Sequence, residues 1–348
     1  MIEDSFYIEY IDRNDFCHLK ADWCRLEKGN EMTVFQSYNW YKMIVDNSIP
    51  IDTSYFESIF VVVRSKSDNT AVLIAPLWIV KHKFNIVNNK CIYFIDREGW
   101  SDYLNIIYDV FNPKAFDFLL KSLHNKYHVK SIMFEMLKES TRIYEYICQK
   151  LIVVYDEPKP YVVLDVPNSS DSYYESLSKN TRQNIRTANN RLEKEGLCIS
   201  YNFVDESTSR DKCVQIRQEM FLKKYEKVPL LRKIKYRLVN KFKYHYPKCN
   251  PIYDYADSKI MTAYVGDNLA SFFCYLLDES KRSVVVISAG TNPNFAWFSP
   301  GILLMYNFVN HIIFEKKYGI IDFTRGDEKY KFSLGGASYN YHTVFIHF

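Results

Sequence analysis

The order of elements is the same in the two halves of this 348-residue chain, and that repetition constrains the fold more than any single motif. Each half reads strand, polar turn, strand, strand, loop, helix, strand: Ile59 to Glu135 in the first, Ile260 to Arg325 in the second. The likeness lies in element order and not in residue identity. Two copies of one α/β (α+β) unit, each a mixed sheet flanked by helices, is the architecture it favours. Length agrees, because a chain this long exceeds one ordinary core. Pro158, Pro160 and Pro167, with the polar run Asn168 to Ser172, place the join, and the expected domains are 1–157 and 158–348.

Along the first half, residues 1 to about 50 read as helical, with Ser37 capping a helix that begins at Tyr38. Pro76, inside the strand Thr70 to Val80, predicts a bulge or strand end, since proline cannot donate to a ladder. The second half opens on a helix from Tyr173 to Glu195, stopped by Gly196. Helices near Ser209–Tyr225 and Leu230–Tyr244 follow. Then come strands at Met261–Val265, Leu269–Leu277 and Ser283–Ser288, a helix at Gly301–Phe314, and strands at Gly319–Phe323 and His342–His347.

Composition removes several classes of function. A formal net charge of +4 is small for this size and does not describe a DNA-binding scaffold. Eight cysteines without a CxxC pair suit reduced thiols, not a disulfide framework. The acidic start, Met1 to Phe6, lacks the apolar core of a signal peptide. No run reaches the roughly 18 apolar residues of a membrane helix. A cytoplasmic protein with no membrane span is expected. His124 and His128 lack a third ligand, so no metal is expected. Neither GxGxxG nor GxxxxGK[ST] occurs among the ten glycines.

Three constellations carry chemistry. On the basic helix, Lys179, Arg182 and Arg186 fall at i, i+3 and i+7 and share a face that suits phosphates, although a solvated surface has the same spacing. Ser299-Pro300-Gly301 reads as an N-cap, a first-turn proline and a free helix end, where backbone N–H groups attract anions. A well-capped structural helix looks the same. Finally, the apolar strand ending at Phe323 runs into Thr324-Arg325-Gly326-Asp327-Glu328-Lys329-Tyr330-Lys331. A strand end that delivers this many ionisable groups into a glycine turn is a common way to build a reactive site.

In this order, these segments resemble the CelD-type (BioF2-like) acetyltransferase domain of the GNAT superfamily, which is related to FemAB-type aminoacyltransferases. The Arg325-Gly326-Asp327-x-x-Tyr330-Lys331 block is the most specific part. Phe35 to Trp40, Pro76-Leu77-Trp78 and Ser101-Asp102-Tyr103 are similar to the family's upstream pattern.

The resemblance implies tandem GNAT-like folds and acyl transfer from acetyl-CoA or another acyl-CoA to an amine or hydroxyl, on a small molecule or a glycan such as a polysaccharide precursor. It implies a thioester arm between two splayed strands, Ser283–Ser288 and Ile320–Phe323, and a pyrophosphate at the helix starting with Ser299 and Gly301. Asp327 or Glu328 would be the base and Tyr330 the acid. Arg325 and Lys331, with Arg182 and Arg186, would hold phosphate or an anionic acceptor, and Asp102 would bind the acceptor. The glycine-rich (Q/R)xxGxG/A loop of ordinary GNAT enzymes is missing. An aminoacyl-tRNA donor acting on a cell-wall precursor is therefore the alternative, with tRNA a partner only in that case. A catalytically inactive GNAT-like binding protein is the third reading.

Overall fold

A computed structural model of the protein describes residues 5–47, 56–80, 91–96, 100–203, 209–226, 252 and 255–348. The helix expected near Leu230–Tyr244 lies outside the described residues. The chain divides into two units, Met1–Tyr161 with Tyr339–Phe348, and Val162–Ser338.

In the first unit, strands β1 (Phe6–Asp12), β2 (Phe56–Ser65), β3 (Ala71–Val80) and β4 (Cys91–Phe94) pair antiparallel in sequence order. Helix α3 (Pro113–Tyr127) then returns the chain to β5 (Ser131–Lys138), which lies parallel to β4. Helices α1 (Lys20–Leu26) and α2 (Tyr38–Asn47) sit between β1 and β2 in the chain, and α4 (Arg142–Lys150) leads to β6 (Ile152–Asp165). The second unit repeats the plan. After α5 (Ser170–Ser176) and α6 (Lys179–Lys194), β7 (Ile199–Asn202) is followed by α7 (Ser209–Glu226). Strands β7, β8 (Lys259–Val265), β9 (Asn268–Asp278) and β10 (Ser283–Thr291) form an antiparallel ladder. Helix α8 (Pro300–Glu315) crosses back to β11 (Ile320–Arg325), parallel to β10, and the short α9 (Lys329–Ser333) follows. The element order read from the sequence thus appears twice as one topology, an antiparallel meander closed by a parallel pair through a crossover helix.

The core of the second unit explains its helices. On α6, Thr181, Ile185, Ala188 and Leu192 are buried at helical spacing, leaving Lys179, Arg182 and Arg186 on another face. From α8, Leu303, Leu304, Phe308, Val309 and Ile312 pack with Phe273 and Tyr275 of β9. Gly196, at φ +62°, ends α6 as expected.

Several expectations change. The chain opens on strand β1 and not on a helix, with Val61, Val62 and Val63 of β2 as its apolar partners. The helix expected from Tyr173 is two, since Leu177 is extended and Ser178 recaps α6 through Thr181 N at 3.1 Å. Pro76 lies inside β3 opposite Phe60, and the register shift falls instead between Val63 and Arg64. The proline segment is continuous strand, β6, which runs through Pro158 and Pro160, and the division between the two units falls inside it, between Tyr161 and Val162. The closing strand, β12 (Ala337–His347), pairs antiparallel with β5 and groups with the first unit instead of the second.

Within the first unit the upstream segments lock one another. Gln36 Nε2 donates to the Tyr103 carbonyl at 2.9 Å, and Trp40 Nε1 donates to Ser101 Oγ at 2.8 Å. Trp78 Nε1 reaches Ser58 Oγ at 2.8 Å. Each indole has found the partner that burial demands. Asp102, beside these bonds, is 5% exposed.

Candidate active site

The site in the second unit follows from how two parallel strands part. β10 and β11 pair only over Ser283–Ile320, Val284–Ile321 and Val285–Asp322. β10 is bulged between Val286 and Ser288, and both strands continue beyond the last pair, β10 to Thr291 and β11 to Arg325. A bulge re-aims a strand and ends regular pairing. On the other side of the gap, Thr324 has φ +57° and Gly326 φ +98°. A β-branched residue at positive φ is an outlier, which the surroundings must hold in place. Asp322 Oδ1 accepts from Thr324 N at 2.8 Å, and Thr324 Oγ1 donates to the Val286 carbonyl at 3.0 Å. That hydroxyl takes up the carbonyl just beyond the last strand pair.

Tyr330 sits on α9 with its ring edge-on to Phe323, centroids 6.5 Å apart. Burial pushes its phenol up to about 12, the Glu328 carboxylate pushes the same way, and Arg217 opposes both. Arg217, on α7, donates through Nη1 to the Ala289 carbonyl of β10 at 2.9 Å. Sequence reading did not single out this residue. One arginine on an exposed helix face carries no signal until the fold sets it beside the parted strand. Replacing Arg217 by alanine is expected to raise the Tyr330 phenol further, seen as the difference in ultraviolet titration between Arg217→Ala with and without Tyr330→Phe.

The remaining expected residues separate. Lys331 is 3% exposed, and its Nζ donates to the carbonyls of Arg325 at 2.7 Å, Gly326 at 3.2 Å and Thr324 at 3.3 Å, with Glu328 Oε2 at 2.9 Å. An ammonium has three protons, so this one has none left for a phosphate, which corrects the expected anion-holding role. Glu328 and Asp327 are both exposed, and Glu328 is engaged by that ion pair. Ser299 does not cap α8 with its side chain: it lies in the left-handed region at φ 56°, at the end of a 3-10 turn Pro293–Phe298. Its carbonyl takes Ile302 N at 3.1 Å and Leu303 N at 3.5 Å, and Pro300 has no N–H. Gly301 is the amide of that turn which Ser299 does not engage, and a Cβ there would stand 2.8 Å from Thr291 Oγ1, so glycine lets α8 start against the end of β10. Arg182 Nη1 donates to the Glu175 carbonyl at the end of α5 at 2.8 Å, and Arg186 Nη2 donates to Gln183 at 3.1 Å; both bonds are local. Asp102 belongs to the first unit. Among the described residues, no three His, Cys, Asp or Glu side chains are arranged to hold a metal, and no helix is long and apolar enough to cross a membrane.

Ionisation also reaches the alkaline stability of the fold. The phenols of Tyr330 and of Tyr201, the latter raised by burial, both stand at about 12 against an ordinary value near 10. A raised folded value means that the stabilising contribution is complete below pH about 10 and is lost as pH climbs toward about 12. Urea midpoints are expected to fall across that window, and to fall less in Tyr201→Phe.

Parted parallel strands, a bulge in β10 and a crossover helix starting at the gap are features of a GNAT-like fold. Residues 256–332 match the acetyltransferase (GNAT) domain family, and the fold around them is GNAT-like. Among solved structures it is similar to FemX, with 8% identity, TM-score 0.58, and 97% of this chain and 96% of that one covered. A conserved protein of unknown function from Bacteroides thetaiotaomicron gives 10% identity and TM-score 0.54, covering 98% and 99%. The C-terminal domain (DUF2156) of a lysylphosphatidylglycerol synthetase from Agrobacterium fabrum gives 10% and 0.51, covering 96% and 92%. At these identities the likeness is one of fold. No curated protein matches the sequence.

Proposed function

We propose that the second unit moves an acyl group from a thioester donor, acetyl-CoA or another acyl-CoA, to an amine or hydroxyl on a small-molecule or glycan acceptor. The observation that carries this reading is the end of regular pairing between β10 and β11 after Val285 and Asp322, which gives an extended donor arm a place between two strands. The residues present fit such a donor in part: Gly301 offers an amide at the start of a 16-residue helix, and Arg217 and Arg325 supply cations. In this reading Asp327 takes the proton from the attacking amine, because Glu328 is engaged by Lys331. Tyr330, neutral with a phenol near 12, donates a hydrogen bond to the departing sulfur. An ordinary thiol titrates near 8.5, so this phenol stabilises charge on sulfur more readily than it surrenders its proton outright.

A second reading replaces the thioester by an aminoacyl ester on tRNA, the donor implied for FemAB relatives. The first turn of α8 favours it: Pro300 has no N–H and the Ser299 carbonyl also engages Ile302 N, one of the few amides that a pyrophosphate would use. One assay separates the two. Purified protein is offered acyl-CoAs and aminoacyl-tRNA in turn with a panel of amine and sugar acceptors. Acceptor-dependent release of free CoA thiol supports the first, and acceptor-dependent loss of the aminoacyl ester supports the second. Turnover of neither sinks acyl transfer and favours a binding protein.

A further inference from the structure

Among the described residues Lys331 is the one buried lysine or arginine, and it points at backbone. A buried ammonium is tolerated only where its protons are satisfied. Here the acceptors are three successive carbonyls, those of Thr324, Arg325 and Gly326, and one carboxylate, Glu328. Two of those three residues have left-handed φ, and one of them is a threonine. A threonine in the left-handed region is strained on its own. Without a compensating contact, the relaxed course for Thr324 is to stay extended and lengthen the strand.

Two other contacts bear on the same residue, the bond from Asp322 to its amide and the bond from its hydroxyl to Val286. Both act on the strand side of the turn. Lys331 reaches across from α9, and it is the chain neighbour of Tyr330. We propose that Lys331 is a positioning residue: its ammonium clamps the left-handed turn 324–326, which keeps β11 from continuing along β10 and sets Tyr330 at the gap. The catalytic part of this proposal rests on the acyl-transfer reading above; the clamp itself does not.

The test uses the full chain with Lys331→Met, Thr324→Gly and the double variant. With the donor that the wild-type protein uses, Lys331→Met is expected to lower kcat at least about tenfold, the scale of one lost transition-state contact, with donor KM unchanged within about twofold. Adding Thr324→Gly is expected to recover part of that loss, because glycine adopts the left-handed backbone without a clamp. Hydrogen exchange in segment 320–336 is expected to rise in Lys331→Met and to return toward wild type in the double variant. A raised donor KM with unchanged kcat would instead mean that Lys331 holds an anion, and would overturn the proposal. So would unchanged kcat and exchange in Lys331→Met. Should that variant not accumulate folded, recovery of folded protein in the double variant supports the clamp, and equal failure of the double overturns it. If the wild-type protein transfers no acyl group from any donor, acyl transfer falls while the exchange and refolding outcomes still judge the clamp.

Discussion

Tyr330→Phe is expected to lower turnover by about 10²-fold while leaving donor KM within about twofold, the pattern of a contact made only as charge develops on the leaving atom. The substitution removes one oxygen from a half-buried ring that packs edge-on to Phe323, so the fold has little to lose. What disappears is a donor that stays protonated across the physiological range, because burial and Glu328 hold the phenol at about 12. The same number predicts the wild-type pH profile. Tyr330 contributes no falling limb below pH about 10, so a descending limb near neutrality would have to come from another group. Steady-state kinetics of the two proteins at saturating acceptor check both statements. Full turnover in Tyr330→Phe would remove the tyrosine from the chemistry.

Gly290→Val is expected to be the most damaging single change to the cleft wall. A Cβ at this position would lie 2.8 Å from Phe272 Cζ and closer still to Cε1. Phe272 is 1% exposed on the neighbouring strand, so its ring has nowhere to turn. Overpacking of this kind typically costs about 1–3 kcal/mol. For a unit of this size that corresponds to a fall in Tm of roughly 2–12 °C. Gly266→Ala is the control: its φ of +55° strains any side chain, but nothing lies within 4 Å of the new Cβ. A smaller loss, of about 1 kcal/mol, is expected there. Thermal unfolding of the two variants separates steric from conformational glycine. Equal losses would mean that the Phe272 ring yields.

The parts of this fold legible in the sequence were those with a period or a punctuation mark. β8, β9, β10, α8 and β11 stand close to where apolar runs and turn residues place them, and Ser37 and Gly196 cap and stop their helices as their chemistry dictates. The misreadings have a common cause. β1 alternates weakly and is fixed only by pairing with the Val61–Val63 run some fifty residues later. Pro158 and Pro160 look like a linker because a missing donor is visible in sequence, whereas the ladder that tolerates it is not. At the site, the ionisable residues of 325–331 were legible as a group but not as individuals. Nothing in the spacing of Lys331 tells that its ammonium turns inward to three carbonyls while Asp327, four residues earlier, faces solvent. Arg217 was invisible for the converse reason, since its significance comes from a strand more than seventy residues away.

The assignment of β12 to the first unit sets an order for biosynthesis. β5 leaves the ribosome flanked by β4 alone, and the strand that covers its other edge is separated from it by the whole of the second unit. At roughly 5–20 residues per second, about 10–40 s pass before β12 can arrive. The second unit, contiguous from Val162 to Ser338, can close in that interval, so the unit encoded first is completed last. During that wait β5 presents an unpaired edge, the kind of surface that chaperones bind and that aggregation exploits. Nascent chains halted before Tyr339 should therefore be the vulnerable species, with their protease sensitivity concentrated in the half that was made first.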